Sequence, residues 1–571
     1  MSYEVAFHAD TPLIARLGEN KAHLVWALGL YLEESDLEAL AGEGLTDFSD
    51  DKKIDFIYLD TDSHRLLLAQ GYYSSTSKDS APSNKASDLN TAVAWLFSGN
   101  LDHVPEELRA AIASCRTALA DNEVDAIDLL YVHNLPESVN VTKELRTAAD
   151  HLQNGLENSA ITVTARELGR SKIEQLYAAR ESHIEVKESI GCPAKIDFHE
   201  SGPKWRASVL SVPGIWLHAL FTKYGDPLFS ANYRGFLGVT KRRRINTGIK
   251  QSAETKPKDF WVFNNGITLL TLKVDEQKGG TVLNGVSVIN GAQTTGSLGS
   301  VDITKNQLND VRVLCRIIEC SDEATITDIV KFNNTQNEIT TWDQYSNDPD
   351  QNRINGEFDD LGYPYSKKRG FRTNEAGIGI DDVVQPLIAF RGRYRDANHG
   401  KNGIFDSKQL YRIAFADKKA RHILFVYTLA RAIDERRIEL KKKSTAKSII
   451  GLEEQQLSLM RNLRFKFFFI SVMGKLLEVI LNRKVDLDTV AFSPDAASAK
   501  KNSLVDLVAA WSPAVESAIT FATTVLQAGT LAQVIAEDDA IQTVYKNLES
   551  LVYAGRSALQ VDTFRKMVSD S

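Results

Sequence analysis

The chain has 571 residues, a net charge of −8, 43% hydrophobic and 25% charged residues. That length exceeds what one hydrophobic core supports and predicts two to four domains of ordinary soluble composition. The acidic balance excludes a chain that coats nucleic acid through bulk charge, while leaving room for a local basic groove. Four cysteines, Cys115, Cys192, Cys315 and Cys320, show neither a CxxC pair nor metal-ligand spacing, and read as reduced structural thiols. Met1-Ser2-Tyr3-Glu4 has no basic n-region and no apolar h-region, so no signal peptide is expected and the cytoplasm is the expected compartment.

Residues 1 to about 190 read as α/β. The pattern predicts a helix over Glu19 to Leu40, then a strand over Ile54 to Leu59. A turn at Asp60-Thr61-Asp62-Ser63 leads into a return strand over His64 to Gln70, making a hairpin. The polar stretch Ser74 to Ser87 is a loop, and helices follow near 90–99 and 105–120. A strand over Ala126–His133, a helix over Val141–Leu156 and a strand over Ile161–Ala165 form a crossover unit that predicts a mixed or parallel sheet.

The hairpin is the candidate for catalysis. Many metal-dependent nucleases set an acid on one strand and a (Glu/Gln)-x-Lys tripeptide on its partner. The carboxylates hold Mg²⁺, which lowers the pKa of the attacking water and neutralises developing charge. Asp55 stands on the first strand and Gln70-Gly71-Tyr72 on the second, which resembles a divergent PD-(D/E)xK nuclease core. The resemblance implies Asp55 and Gln70 as metal ligands, with Glu33 or Glu34 supplying a further carboxylate and Mg²⁺ as cofactor if the site is active. Tyr72 stands where the motif has lysine, and a phenol carries no positive charge at neutral pH. Lys53, Lys52 and Lys78 are the cations that would replace it.

The middle of the chain is marked by three amide-rich stretches, Asn264-Asn265-Gly266-Ile267-Thr268, Ile289-Asn290-Gly291-Ala292-Gln293-Thr294-Thr295 and Asn333-Asn334-Thr335-Gln336-Asn337-Glu338. Each adjoins an apolar, strand-like run (Phe260–Phe263, Val286–Ile289, Ile329–Phe332). Asn-Gly pairs form tight turns because both residues tolerate positive φ, so a purely structural role stands beside a binding one. A strand, an Asn-Gly turn and a helix start bearing Gln293 and Thr294 would aim backbone N–H groups at an anion. Arg234, Lys367, Lys368 and Arg369 would add charge, and the run Lys241-Arg242-Arg243-Arg244 is a contact for a nucleic-acid backbone.

These stretches, with Asn232-Tyr233-Arg234-Gly235-Phe236-Leu237 upstream and Tyr365-Ser366-Lys367-Lys368-Arg369-Gly370 downstream, resemble the AIPR family of abortive infection phage resistance proteins over roughly residues 225–400. The resemblance implies anti-phage defence. It implies ligand contacts at Asn264, Asn265, Asn290, Gln293, Thr294, Asn333, Asn334 and Gln336.

Residues 405–571 are helical in pattern, with amphipathic runs at 418–440, 453–482, 503–527 and 530–554. Phe465 to Ile480 is the most apolar run, but Lys466, Lys475 and Glu478 make it a buried helix rather than a membrane span. The expected architecture is therefore an α/β nuclease-like domain over 1–190, an α+β AIPR domain over 200–400 and an all-α region over 405–571. The chain lacks GxxxxGK[ST], HExxH and GxSxG, which sets aside those ATPase, metalloprotease and hydrolase classes. Three functions remain. The first is a defence protein that binds or cuts nucleic acid (DNA or RNA) as a Mg²⁺-dependent nuclease. The second is a catalytically inactive sensor or scaffold that self-associates through the helical region, without a membrane. The third is an enzyme acting on a nucleotide at Asn290 and Gln293.

Overall fold

In the computed structural model, the described residues are 2–46, 54–97, 100–156, 161–181, 184, 186–225, 228–230, 242–277, 280–304, 308–322, 325–326, 328–330, 333, 348–367, 377–527 and 531–570. They divide into two compact units, one of residues 3–172 with 341–571 and one of residues 173–340.

The first unit begins with a four-stranded sheet. Strands β1 (Phe56–Asp60), β2 (Arg65–Tyr72), β3 (Ala126–His133) and β4 (Thr162–Leu168) lie in that order. β1 and β2 form the expected antiparallel hairpin, while β2–β3 and β3–β4 are parallel. β3 is buried along its whole length, as a central parallel strand covered on both faces must be. One face packs on the Ser83–Phe97, Glu106–Ala120 and Val139–Gly155 helices through Leu66, Leu68, Ile127, Leu129, Leu89, Ile112 and Leu145. Behind Gly71 stands Leu24 of the Glu19–Leu32 helix, against which a Cβ on that glycine would press.

The single helix expected over 19–40 is two, Glu19–Leu32 and Leu37–Gly44. Glu33 adopts a left-handed conformation (φ 56°), and the Asp36 carboxylate accepts from Ala39 N–H to start the second helix. Apolar periodicity runs through the break and hides it, whereas an Asp N-cap can restart a helix at any point.

The second unit is a seven-stranded mixed sheet. Its strands are β5 (Val186–Cys192), β6 (Phe198–Ser201), β7 (Trp205–Pro213), β8 (Ile267–Thr271), β9 (Lys273–Gln277), β10 (Gly280–Asn290) and β11 (Arg312–Cys320). The order is β5-β10-β8-β11-β7-β6, with β9 on β10. β8 and β11 run parallel and the other pairs antiparallel. The Gly214–Tyr224 and Ala292–Gly299 helices cover one face, closing a core of Leu217, Leu220, Leu269, Val288, Leu298 and Ile317. Phe260–Phe263, expected to be extended, is instead one helical turn after a 3₁₀ turn at Pro257–Asp259. Proline at the first position of that turn presets the φ it needs. Ile329 and Val330, expected as strand, are helical, and Lys331 and Phe332 lie outside the described residues.

The remainder of the first unit is helical. The run expected at 453–482 is two helices, Gly451–Met460 and Phe465–Leu481, and that at 530–554 is Leu531–Ala536 and Asp538–Gly555. Short strand pairs interrupt it: β12 (Tyr365–Ser366) with β13 (Ile378–Gly379), and β14 (Val490–Phe492) with β15 (Val568–Asp570). Phe425, Phe469, Trp511 and Phe564 anchor one continuous core. Phe465–Leu481 is buried there. Among the described residues the helix long and apolar enough to cross a membrane is Leu504–Val525, which buries Leu507, Trp511, Val515 and Ile519 in the same core.

Candidate functional site

The hairpin end comes first. Asp55 lies immediately before β1, and its backbone N–H donates to Ala69 O (3.0 Å). Its carboxylate is buried. Oδ1 accepts from the Lys21 ammonium at 2.5 Å, and Oδ2 accepts from Gly71 N–H at 2.8 Å. Lys21 sits in the first turn of the Glu19–Leu32 helix, and the two side chains are 5% and 3% exposed. The anion is therefore neutralised by a fixed internal cation in a place where neither partner is hydrated.

Gln70 is fully buried, and neither its Nε2 nor its Oε1 has a hydrogen-bond partner among the described residues. Strand alternation turns it away from the face of Gly71, beside Tyr131, its register partner on β3. Tyr72 follows at the half-buried end of β2, and Lys78 donates to its hydroxyl at 2.8 Å. Of the cations considered for the missing lysine, Lys78 reaches that position, while Lys52 and Lys53 lie outside the described residues. Glu33 is not brought to Asp55. It is twelve residues along the helix axis from Lys21, about 18 Å at 1.5 Å per residue. Glu34 binds the Lys401 ammonium at 2.8 Å.

The residues therefore do not fit a divalent cation. Asp55 has both oxygens engaged, Glu33, the expected third ligand, is a helix length away, and no group of three or more His, Cys, Asp or Glu able to hold a metal exists among the described residues. A Mg²⁺ site needs several oxygen ligands converging at about 2.1 Å.

Sequence reasoning missed three neighbours of this end. His133, at the carboxyl end of β3, is fully buried and lies 3.1 Å from Glu167 Oε1 of β4. Glu167 also accepts from Ser138 N–H (3.0 Å) and the Thr142 hydroxyl (3.3 Å), tying β4 to the start of the Val139–Gly155 helix. His23 is buried between Phe7 and Tyr73, and its Nε2 has no hydrogen-bond partner among the described residues. Burial, then the nearby His133 and His8, lowers its pKa to about 3. Burial likewise keeps the Tyr131 phenol protonated. The readable signal was position: open parallel sheets hold their ligands beyond the carboxyl ends of strands, where His133 and Glu167 stand.

The amide-rich turns form the second candidate. Gly266 (φ 83°) and Gly291 (φ 87°) are in the left-handed region, and a Cβ on Gly266 would lie 2.4 Å from the Leu314 carbonyl oxygen. Only glycine meets both demands. Asn264 Oδ1 accepts from Gly266 N–H at 2.9 Å, and its Nδ2 donates to the Thr294 hydroxyl at 3.0 Å. That bond clasps one turn to the other. Asn290, Thr268 and Arg316 stand in one row across β10, β8 and β11. Arg316 donates to Asn333 Oδ1, and Asn333 Nδ2 donates to Ile329 O at 2.8 Å. The β10 strand, the Gly291 turn and the Ala292–Gly299 helix follow in the order expected.

Asn264 and Asn333 thus use both ends of their amides on the protein itself. Asn265 is exposed, and Asn290 and Gln293 are half-buried. Lys367 belongs to the other unit, where it donates to Asn352 at 2.7 Å. Arg234, Lys241, Asn334, Gln336, Lys368 and Arg369 lie outside the described residues, as does the whole 232–237 motif. Arg242 and Arg243 open the Arg242–Thr255 helix. All four cysteines are buried free thiols, and burial raises Cys115 and Cys192 to about 12.

No curated protein and no solved structure matches the chain. Residues 229–553, more than half of the chain, match the family model described as AIPR protein. The match holds the amide-clasped turns and most of the helical core, and by it the chain belongs to the AIPR family of abortive infection phage resistance proteins.

Proposed function

We propose that this protein serves phage resistance by binding nucleic acid, and that its N-terminal sheet works as a recognition or scaffold element rather than as a Mg²⁺-dependent nuclease. The observation that carries the reading is the state of Asp55. The nuclease reading depends on that carboxylate, and it is already neutralised by Lys21 and Gly71 N–H. To cut, Asp55 would have to release a buried ammonium and find a further acid. Nucleic acid is favoured as the ligand by the basic run 241–244 in a net acidic chain and by amide-bearing turns held rigid in the second unit. A cytoplasmic setting suits four free buried thiols. Self-association would run through the helical region, where Ile450, Leu452, Val505 and Tyr553 are exposed, and light scattering reads it.

The test is a mobility-shift series with single- and double-stranded DNA and RNA, in EDTA and then in Mg²⁺ or Mn²⁺. The reading expects complexes in EDTA and intact nucleic acid after metal is added. Absence of any complex would refute binding, and cleavage would refute the inactive sheet.

A further inference from the structure

We infer that Trp261 and Phe263 are a stacking surface for the bases of single-stranded nucleic acid, an inference that rests on the nucleic-acid reading above and names its contact. The helical turn Phe260–Phe263 buries its first residue completely and exposes the next three: Trp261 is 39% exposed, Val262 75% and Phe263 56%. The turn packs against β11, where Leu314 is 38% exposed. A lone exposed apolar side chain is ordinary, but three in succession on one turn, with Leu314 exposed on the strand the turn packs against, are an apolar concentration that something else covers.

The surroundings select the occupant. Lys256, Lys258 and Arg312 are exposed beside or within this surface, and the Lys256 ammonium lies 5.9 Å from the centre of the Phe263 ring. Asp259 is the single acid in residues 256–265. A polyanion that carries flat rings matches both properties, because phosphates go to the ammonium groups while each base offers a face to an aromatic side chain. A duplex keeps its base faces stacked on one another, so the exposed rings favour a single strand. Asn265 is exposed next to the rings and presents a donor and an acceptor to a base edge.

The platform is rigid where rigidity counts. Phe260 fixes the turn in the core, and Asn264 fixes the next residues through Gly266 N–H and Thr294. Stacking therefore costs little ordering on the protein side.

The test is the affinity of the full chain for a fluorescent single-stranded oligonucleotide, as DNA and as RNA, in EDTA. It compares wild type with Trp261→Ala, Phe263→Ala and Val262→Ala. Val262 and Phe263 are more than half exposed and Trp261 is 39% exposed, so the melting temperature of each variant is measured as the folding control and affinities are compared per folded molecule. Either aromatic truncation is expected to weaken single-strand binding about tenfold, while Val262→Ala changes it less than about twofold and duplex binding is unaffected. Wild-type binding that survives both aromatic truncations would overturn the stacking surface and leave the proposed function standing. Equal loss in Val262→Ala, together with a smaller particle by light scattering, would assign the surface to a second copy of the chain. Failure of the wild type to bind any nucleic acid would overturn both readings at once. The DNA and RNA arms identify which strand is preferred.

Discussion

The two candidate sites are built on opposite plans. At the hairpin end ionisable groups are buried and matched to one another, as in Lys21–Asp55, of which the sequence singles out only Asp55, and His133–Glu167. At the amide-rich turns most polar groups are uncharged amides and hydroxyls, with Arg316 bound to Asn333; Asn264 and Asn333 are spent on holding the chain, and aromatic rings stand exposed next to Asn264. On the function proposed above, charge alone is a poor guide to which end meets a ligand. A buried carboxylate with a satisfied ammonium contributes to folding, and its function ends there unless the partner leaves. A turn whose backbone is pinned by amides can carry exposed rings at little cost.

The largest expected effect breaks the hairpin pair. Asp55→Ala strands the Lys21 ammonium in a buried site and should cost about 3–5 kcal/mol of stability. Replacing both partners, as Lys21→Met with Asp55→Leu, should recover most of that loss, because no uncompensated charge remains. Urea denaturation of the single and double variants measures both. A single variant as stable as wild type would mean the pair is not buried in solution.

Next comes the turn. Gly266→Ala places a Cβ against the Leu314 carbonyl oxygen at a positive φ, and should cost about 1–3 kcal/mol. Asn264→Ala removes one bond to Gly266 N–H and one to Thr294, for about 1–2 kcal/mol at roughly 1 kcal/mol per bond. If the amides are a structural clasp, nucleic-acid affinity per folded molecule should follow stability in these variants. Loss of affinity at full stability in Asn264→Ala would instead make that amide a ligand contact.

The smallest effect near neutral pH belongs to His23. Burial lowers its pKa from 6.5 to about 3, so the unfolded chain binds a proton that the folded chain does not. The stability this contributes is complete above about pH 6.5 and is lost as pH falls toward 3. His422, lowered to about 4 chiefly by burial, acts in the same direction. Thermal melts from pH 7.5 to 4.5 should decline, and His23→Phe should flatten the curve. A curve of unchanged slope in that variant would place His23 in contact with solvent.

Much of the first unit was legible in its residues. Ala126–His133 is a strand over its full predicted span, because a mostly apolar run between turn signals, interrupted only by Asp128 before its final His133, has one comfortable home in a covered parallel sheet. The hairpin, the crossover helix and the Gly291 turn were legible for similar local reasons. Phe260–Phe263 was misread because four aromatic and β-branched residues favour extended structure, while the preceding Pro257 turn and the burial of Phe260 draw them into a helix. The partner of Asp55 was illegible in principle. Lys21 is 34 residues earlier and sits in a first helical turn, where a lysine reads as solvated. The exposed rings were equally hidden, since a sequence records hydrophobicity and not which side of a turn faces water.

The most direct measurement is metal-dependent cleavage read on the same oligonucleotide that the protein binds. Wild type and Asp55→Asn, which keeps the side-chain shape, are compared in EDTA, Mg²⁺ and Mn²⁺. The account predicts binding by wild type in EDTA and intact substrate under every metal condition. Substrate cut in Mg²⁺ or Mn²⁺ by wild type and spared by Asp55→Asn would contradict it, and would mean that Lys21 yields Asp55 to a metal once nucleic acid is bound.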